Sequence, residues 1–283
     1  HCDPPQSTSI MMNIRKITEL EYYKFRHYRP FLVILGLYVF CFILAGFSIK
    51  SLLDWFLDKQ QDDNILKHFV ESGIPLFDFV DIWQNLGWLA TIFKWIPAFV
   101  IIISVTLEYS QKTIKQNIID GLSKKEFLAS KVALVGVISL GSALLLLLLG
   151  LFLGLLYSPV KGVPYILENI EFVAAYGLEV FVFLCMAVFA AFWIQKSGVT
   201  IILFLLYTAC IEPIATAIIR YHYKLDVWYF PVEAINLIIR VPFQKYALEF
   251  VHDQIVLRDV FVSLGWAGIF IGLSYWILKR RDL

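Results

Sequence analysis

The chain has 283 residues, of which 59% are hydrophobic, and its mean hydropathy is +0.73. Ordinary globular chains hold an apolar fraction nearer half, so a soluble domain is excluded and an integral membrane protein is expected. The formal net charge of +1 is too small to direct the chain toward a polyanion, and orientation rests on where Lys and Arg fall.

In chain order, residues 1–12 are polar and Pro-containing and read as a leader or an expression remnant, leaving 13–283 as one transmembrane domain. Asn13 to Arg29 interleaves Arg15, Lys16, Lys24 and Arg26 with Ile14, Ile17, Leu20 and Tyr23, a spacing that predicts an N-terminal amphipathic helix on the membrane surface. Phe31 to Ile49 is the first apolar run of bilayer length. Lys50 to Asn85 alternates acidic and apolar residues, and is expected as a loop of short interfacial helices holding Trp55 and Trp83 at the headgroups. The second span is expected over 86–107 and the third over 132–157. The fourth follows over 172–194, the fifth over 199–219 and the sixth over 259–278. The fold class is all-α and polytopic.

Between the second and third spans lies a polar stretch, Glu108 to Lys131, with two helix starts in succession. Thr113 with Gln116 and Ser123 with Glu126 each have capping-box spacing, and Gly121 supplies a residue able to end a helix between them. A helix of about two turns is marginal alone, so this one needs a membrane surface or a partner to rest on. Lys and Arg are concentrated in the N-terminal segment, the 108–131 stretch, the 195–198 turn and the C-terminus, which places both termini in the cytoplasm and the two longest loops outside.

No phosphate-cradling loop, His-Glu-x-x-His or Gly-x-Ser-x-Gly occurs, so nucleotide hydrolysis is expected elsewhere. The histidines lack ligand spacing, and Cys2, Cys41, Cys185 and Cys210 show neither metal spacing nor a disulfide framework; no metal is expected. Three ionisable residues lie inside spans: Lys94, Glu179 and Glu212. At about 1.5 Å per residue they share a level roughly 10 to 12 Å below the outer ends of their helices. Charge in hydrocarbon is costly unless paired or facing a cavity, so Lys94 is expected to pair with Glu212 or Glu179 beside an outward-facing cavity. Gly150-x-x-x-Gly154 and Gly268-x-x-x-Gly272 are read as helix packing. On the fifth span Thr208, Glu212, Ala215 and Thr216 share a face, and Pro213 frees a carbonyl one turn earlier.

At the 108–131 stretch the chain resembles the permease subunits of ABC-2 type transporters. The likeness rests on Glu108 ending the second span, the short helix from Ile114 to Asp120, the turn Gly121-Leu122-Ser123-Lys124, and Lys131 near the membrane. It extends to the surface helix, the six spans, the Phe230-Pro231 to Asn236-Leu237-Ile238 run and the terminal Lys279 to Leu283. Where the family often has Gly before the Thr of the helix start, this chain has Lys112. The resemblance implies an exporter fold working as a dimer or with a sister permease, in contact with membrane lipids and without nucleic acid, with two ATPase subunits beneath. ATP and Mg would sit on those subunits and no cofactor on this chain. It implies coupling to the ATPase through Glu108, Thr113, Ile114, Lys115, Ile118, Gly121, Ser123 and Lys124, a connecting helix with Glu19, Glu21 and Lys24, and a pathway along the first and fifth spans. Two other classes stand beside it: a non-transporting anchor of a cell-envelope machine, and a polytopic membrane enzyme using Glu179 and Glu212 as acid and base.

Overall fold

The computed structural model describes residues 29–59, 77–114, 116, 123–159, 162–242 and 254–280. Among these residues every regular element is helical. Helix α1 runs Arg29–Lys59, with Pro30 in its first turn, where no intrahelical N–H is required. Helix α2 (Ile82–Thr91) passes through a 3-10 turn (Ile92–Lys94) into α3 (Trp95–Ser110). Helix α4 (Lys124–Tyr157) is followed by a single turn, α5 (Val163–Leu167), and then α6 (Glu171–Ile194). Helix α7 (Ser197–Leu206) continues through a π turn (Tyr207–Ile211), α8 (Glu212–Ile218) and a second π turn (Ile219–Tyr223). A short helix, α9 (Pro231–Asn236), precedes α10 (Leu257–Arg280). Six of these helical stretches are long and apolar enough to cross a membrane, in the order expected, and the architecture is that of a multi-pass membrane protein.

Helix α6 is the post around which the others stand. It is apolar on all sides, the pattern of a helix with neighbours all round, and 61% of the most apolar window of the fourth span is buried, against 22% in the first and fifth. Phe172, Tyr176, Phe183, Ala187 and Phe192 are buried along its length, and α2, α3, α4 and α10 pack against it. One edge of this core is set by two glycines of α4. A Cβ on Gly150 would lie 2.6 Å from the Trp83 ring, and one on Gly154 would lie 2.4 Å from Phe79. The missing side chains are therefore the space that two aromatic rings occupy. The expected packing role holds for this pair; at Gly268 and Gly272 a Cβ meets nothing within 4 Å.

Several expected boundaries move. The segment after Ile49 is not a loop at first, because α1 continues to Lys59. The second span begins at Ile82, four residues before Leu86, and Trp83 is in the core rather than at the headgroups. Its indole N–H donates to the Ile166 carbonyl at 3.0 Å, which satisfies the polar edge that otherwise draws Trp to an interface. The connection after Tyr223 contains α9, where a loop was expected. The surface helix expected over Asn13 to Arg29, with Glu19, Glu21 and Lys24, lies outside the described residues apart from Arg29.

Candidate functional site: a buried charge cluster beside helix α9

Two prolines shape the site. Pro97 has no N–H for the Phe93 carbonyl, and the helix tightens into the 3-10 turn that ends at Lys94. Pro213 denies the Ala209 carbonyl its usual partner in the same way, and Tyr207–Ile211 widens into a π turn. Between these irregular turns lies a cavity of about 380 Å³, with Trp88, Lys94, Trp95, Glu179, Thr208 and Asn236 in its wall.

Lys94 is 4% exposed and spends its charge inside the protein. Its Nζ donates to Glu179 Oε1 at 2.7 Å and to Asn236 Oδ1 at 2.7 Å, and sits 5.0 Å from the centre of the Phe183 ring. Three elements meet at one ammonium group: the 3-10 turn of the second span, α6 and the last residue of α9. Of the two partners left open by the sequence, the structure selects Glu179. Its other oxygen, Oε2, makes no hydrogen bond to any described residue. Trp95 closes the side toward the fifth span, its indole N–H donating to Thr208 Oγ1 at 3.2 Å.

Glu212 does not pair with Lys94. Its Oε1 accepts the backbone N–H groups of Val232 at 2.6 Å and Glu233 at 3.0 Å, which belong to the first turn of α9 and have no intrahelical acceptor. A carboxylate from the fifth span thus caps a helix twenty residues further on, where helix-end polarity favours a negative charge. Thr208, Glu212 and Thr216 are buried along one face as expected, and Ala215 is half-buried. Arg220 pairs with Glu233, and a second, smaller cavity of about 160 Å³ lies between Glu212, Thr216, Arg220 and α9. Pro213, Val232 and Asn236 line both cavities.

The opposite end of the second and third spans carries another buried pair. Lys131 Nζ lies 2.7 Å from Glu108 Oε1 and 3.4 Å from Ser104 Oγ, and both charged residues are buried. Ser123 and Glu126 form the expected capping box, with Glu126 N–H donating to Ser123 Oγ at 3.2 Å and Ser123 N–H to Glu126 Oε2 at 2.8 Å. Lys124 Nζ reaches the Lys279 carbonyl at 3.4 Å, joining the start of α4 to the end of α10. Thr113 Oγ1 donates to the Glu108 carbonyl at 3.3 Å, and Ile114 is buried. Lys115, Ile118 and Gly121 lie outside the described residues.

Of the residues singled out from sequence, the structure unites Lys94 with Glu179 at one end and Glu108 with Lys131 at the other. Asn236 falls within the Phe230 to Ile238 run, and its function as the second acceptor for Lys94 has no local sequence signal. Asp259, buried in the first turn of α10 between Arg240 at 3.1 Å and Arg258 at 3.0 Å, was likewise not singled out. No family model matches this chain, and a search of curated proteins finds no match.

Proposed function

We propose that the chain is the membrane-spanning subunit of an ABC-2 type exporter, moving its substrate outward across the cytoplasmic membrane of a bacterium. Two ATPase subunits would grip the 113–120 segment from inside the cell, with both termini on that side, and supply the ATP and Mg chemistry that this chain lacks motifs for. The observation that carries the reading is the buried Glu108–Lys131 pair. It closes the base of the 108–131 stretch by tying the end of the second span to the start of the third. A pull on the stretch is then delivered to two spans at once, which is what coupling to a moving partner requires. The first and fifth spans are the least covered of the six, which suits their burial against a second permease copy or a sister permease.

The test is co-purification. Affinity-tagged chain extracted from its native membrane is expected to carry a P-loop ATPase in stoichiometric amount, with Mg-ATP hydrolysis in the eluate. Replacing residues 113–120 by a Gly-Ser linker of equal length should abolish both while leaving the chain in the membrane. Retention of the ATPase by that variant, or labelling of an introduced cysteine at Gln116 by an impermeant maleimide from outside intact cells, would remove the reading.

A further inference from the structure

We propose that the cavity between Lys94 and Thr208 is a binding site for a small organic cation, specifically a primary ammonium group carried on an apolar or aromatic body. The site is distinct from the exporter reading above and is read by equilibrium binding, so either can fail without the other.

Three observations meet there. The first is an acceptor with nothing to accept. Glu179 is 0% exposed, its Oε1 is taken by Lys94, and its Oε2 has no hydrogen-bond partner among the described residues. A buried carboxylate oxygen left in this state costs free energy, and the group nearest it in chemistry is an N–H donor that carries positive charge. The second is charge balance. The two adjoining cavities hold Lys94 and Arg220 against Glu179, Glu212 and Glu233, so carboxylates outnumber cations across the pair. Arg220 is paired with Glu233 and Lys94 with Glu179, while Glu212 Oε1 accepts from neutral backbone N–H groups and its Oε2, like that of Glu179, has no hydrogen-bond partner among the described residues. The proposed cavity is itself balanced, Lys94 against Glu179, and its neighbour carries the excess carboxylate, so an anionic ligand would meet a cation already paired and a net negative surround.

The third is the shape and composition of the wall. Trp88 and Trp95 present aromatic surface within the cavity, and Phe183 already holds the Lys94 ammonium over its ring face. Aromatic faces attract cations, most strongly where water is excluded. About 380 Å³ falls within the usual range for small-molecule pockets, and takes a body of benzylamine size in addition to its ammonium.

Isothermal titration of the purified chain in detergent separates the alternatives, with benzylammonium chloride, neutral benzyl alcohol and sodium benzoate as probes. Benzylammonium is expected to bind saturably at one site, at least tenfold more tightly than benzyl alcohol, and to be displaced by methylammonium; benzoate is expected not to bind. Equal affinity for the alcohol, or preference for benzoate, would overturn the proposal. Glu179→Gln should abolish the tenfold preference for the cation, and a Gln variant that melts like the wild type yet keeps that preference would also overturn it. Should the variant not fold, Ala209→Cys in a cysteine-free background locates the site, because Ala209 lines the cavity and is exposed. Benzylammonium should slow its maleimide labelling at least fivefold, and an unchanged labelling rate places the ligand elsewhere and sinks the assignment.

Discussion

Lys94 and Glu179 come from helices 85 residues apart in the chain and meet at 2.7 Å with almost no solvent contact on either side. Removing one member of such a pair strands the other, at about 3–5 kcal/mol. Lys94→Met and Glu179→Leu should each lower the thermal midpoint of the purified protein accordingly. Exchanging the two charges, Lys94→Glu with Glu179→Lys, should recover most of the loss, whereas Lys94→Glu with Glu212→Lys should recover none. Rescue by the second exchange and not the first would mean that the wrong carboxylate has been paired.

Glu212 gives a second prediction through its bonds to α9. Loss of a side-chain cap costs about 0.5–2 kcal/mol, so in Glu212→Ala helix α9 should open roughly tenfold more often. Ala234 is 0% exposed and reports this directly. A cysteine introduced there should react about tenfold faster with an impermeant maleimide when Glu212 is Ala, with Glu212→Asp intermediate. A labelling rate indifferent to residue 212 would show that the contacts of α9 with α10, such as Ser263 Oγ to the Ala234 carbonyl at 3.0 Å, hold it unaided.

The glycines of α4 and α10 should behave differently despite identical spacing. Gly150→Leu drives a side chain into the Trp83 ring and is expected to cost at least the 1–3 kcal/mol typical of overpacking. Gly268→Ala enters open space and should change stability by less than about 0.5 kcal/mol. Thermal melts of both variants in one detergent make the comparison, and equal losses would contradict it.

Lys112 adopts the left-handed conformation, with φ 56°, at the residue where the second span turns away. A side chain there costs about 1–2 kcal/mol by clash with the backbone, partly offset because glycine loses more freedom on folding. The expected order of stability is Lys112→Gly above wild type above Lys112→Val, since a β-branched residue suffers most at positive φ. A Val variant as stable as the wild type would mean that the turn is formed differently.

How much of this was legible depended on range. The spans were readable because bilayer length and apolar composition are local properties, and the Ser123–Glu126 box because both partners lie within one turn. The level shared by Lys94, Glu179 and Glu212 followed from rise per residue, yet which carboxylate met the lysine depended on the rotation of α6 against the second span. That rotation is fixed by packing, including the fit of Tyr176 and Phe183 into the core, and no window of sequence encodes it. The α9 helix was hidden for a related reason. Six residues are too few for a periodic pattern, and its first turn is completed by Glu212 on the fifth span. Trp83 was misplaced at the interface because its carbonyl partner, Ile166, is remote in the chain.

The seating of Trp83 against Gly150 and of Phe79 against Gly154 has a mechanical result. A slip of α4 by one turn along the segment that carries those rings would draw two large side chains out of their notches and drive them over neighbouring leucines. These parts of the second and third crossings are keyed together like a shaft and its collar, so they tilt or translate as one piece. The irregular helical geometry of this molecule lies elsewhere, in the π turns that flank α8.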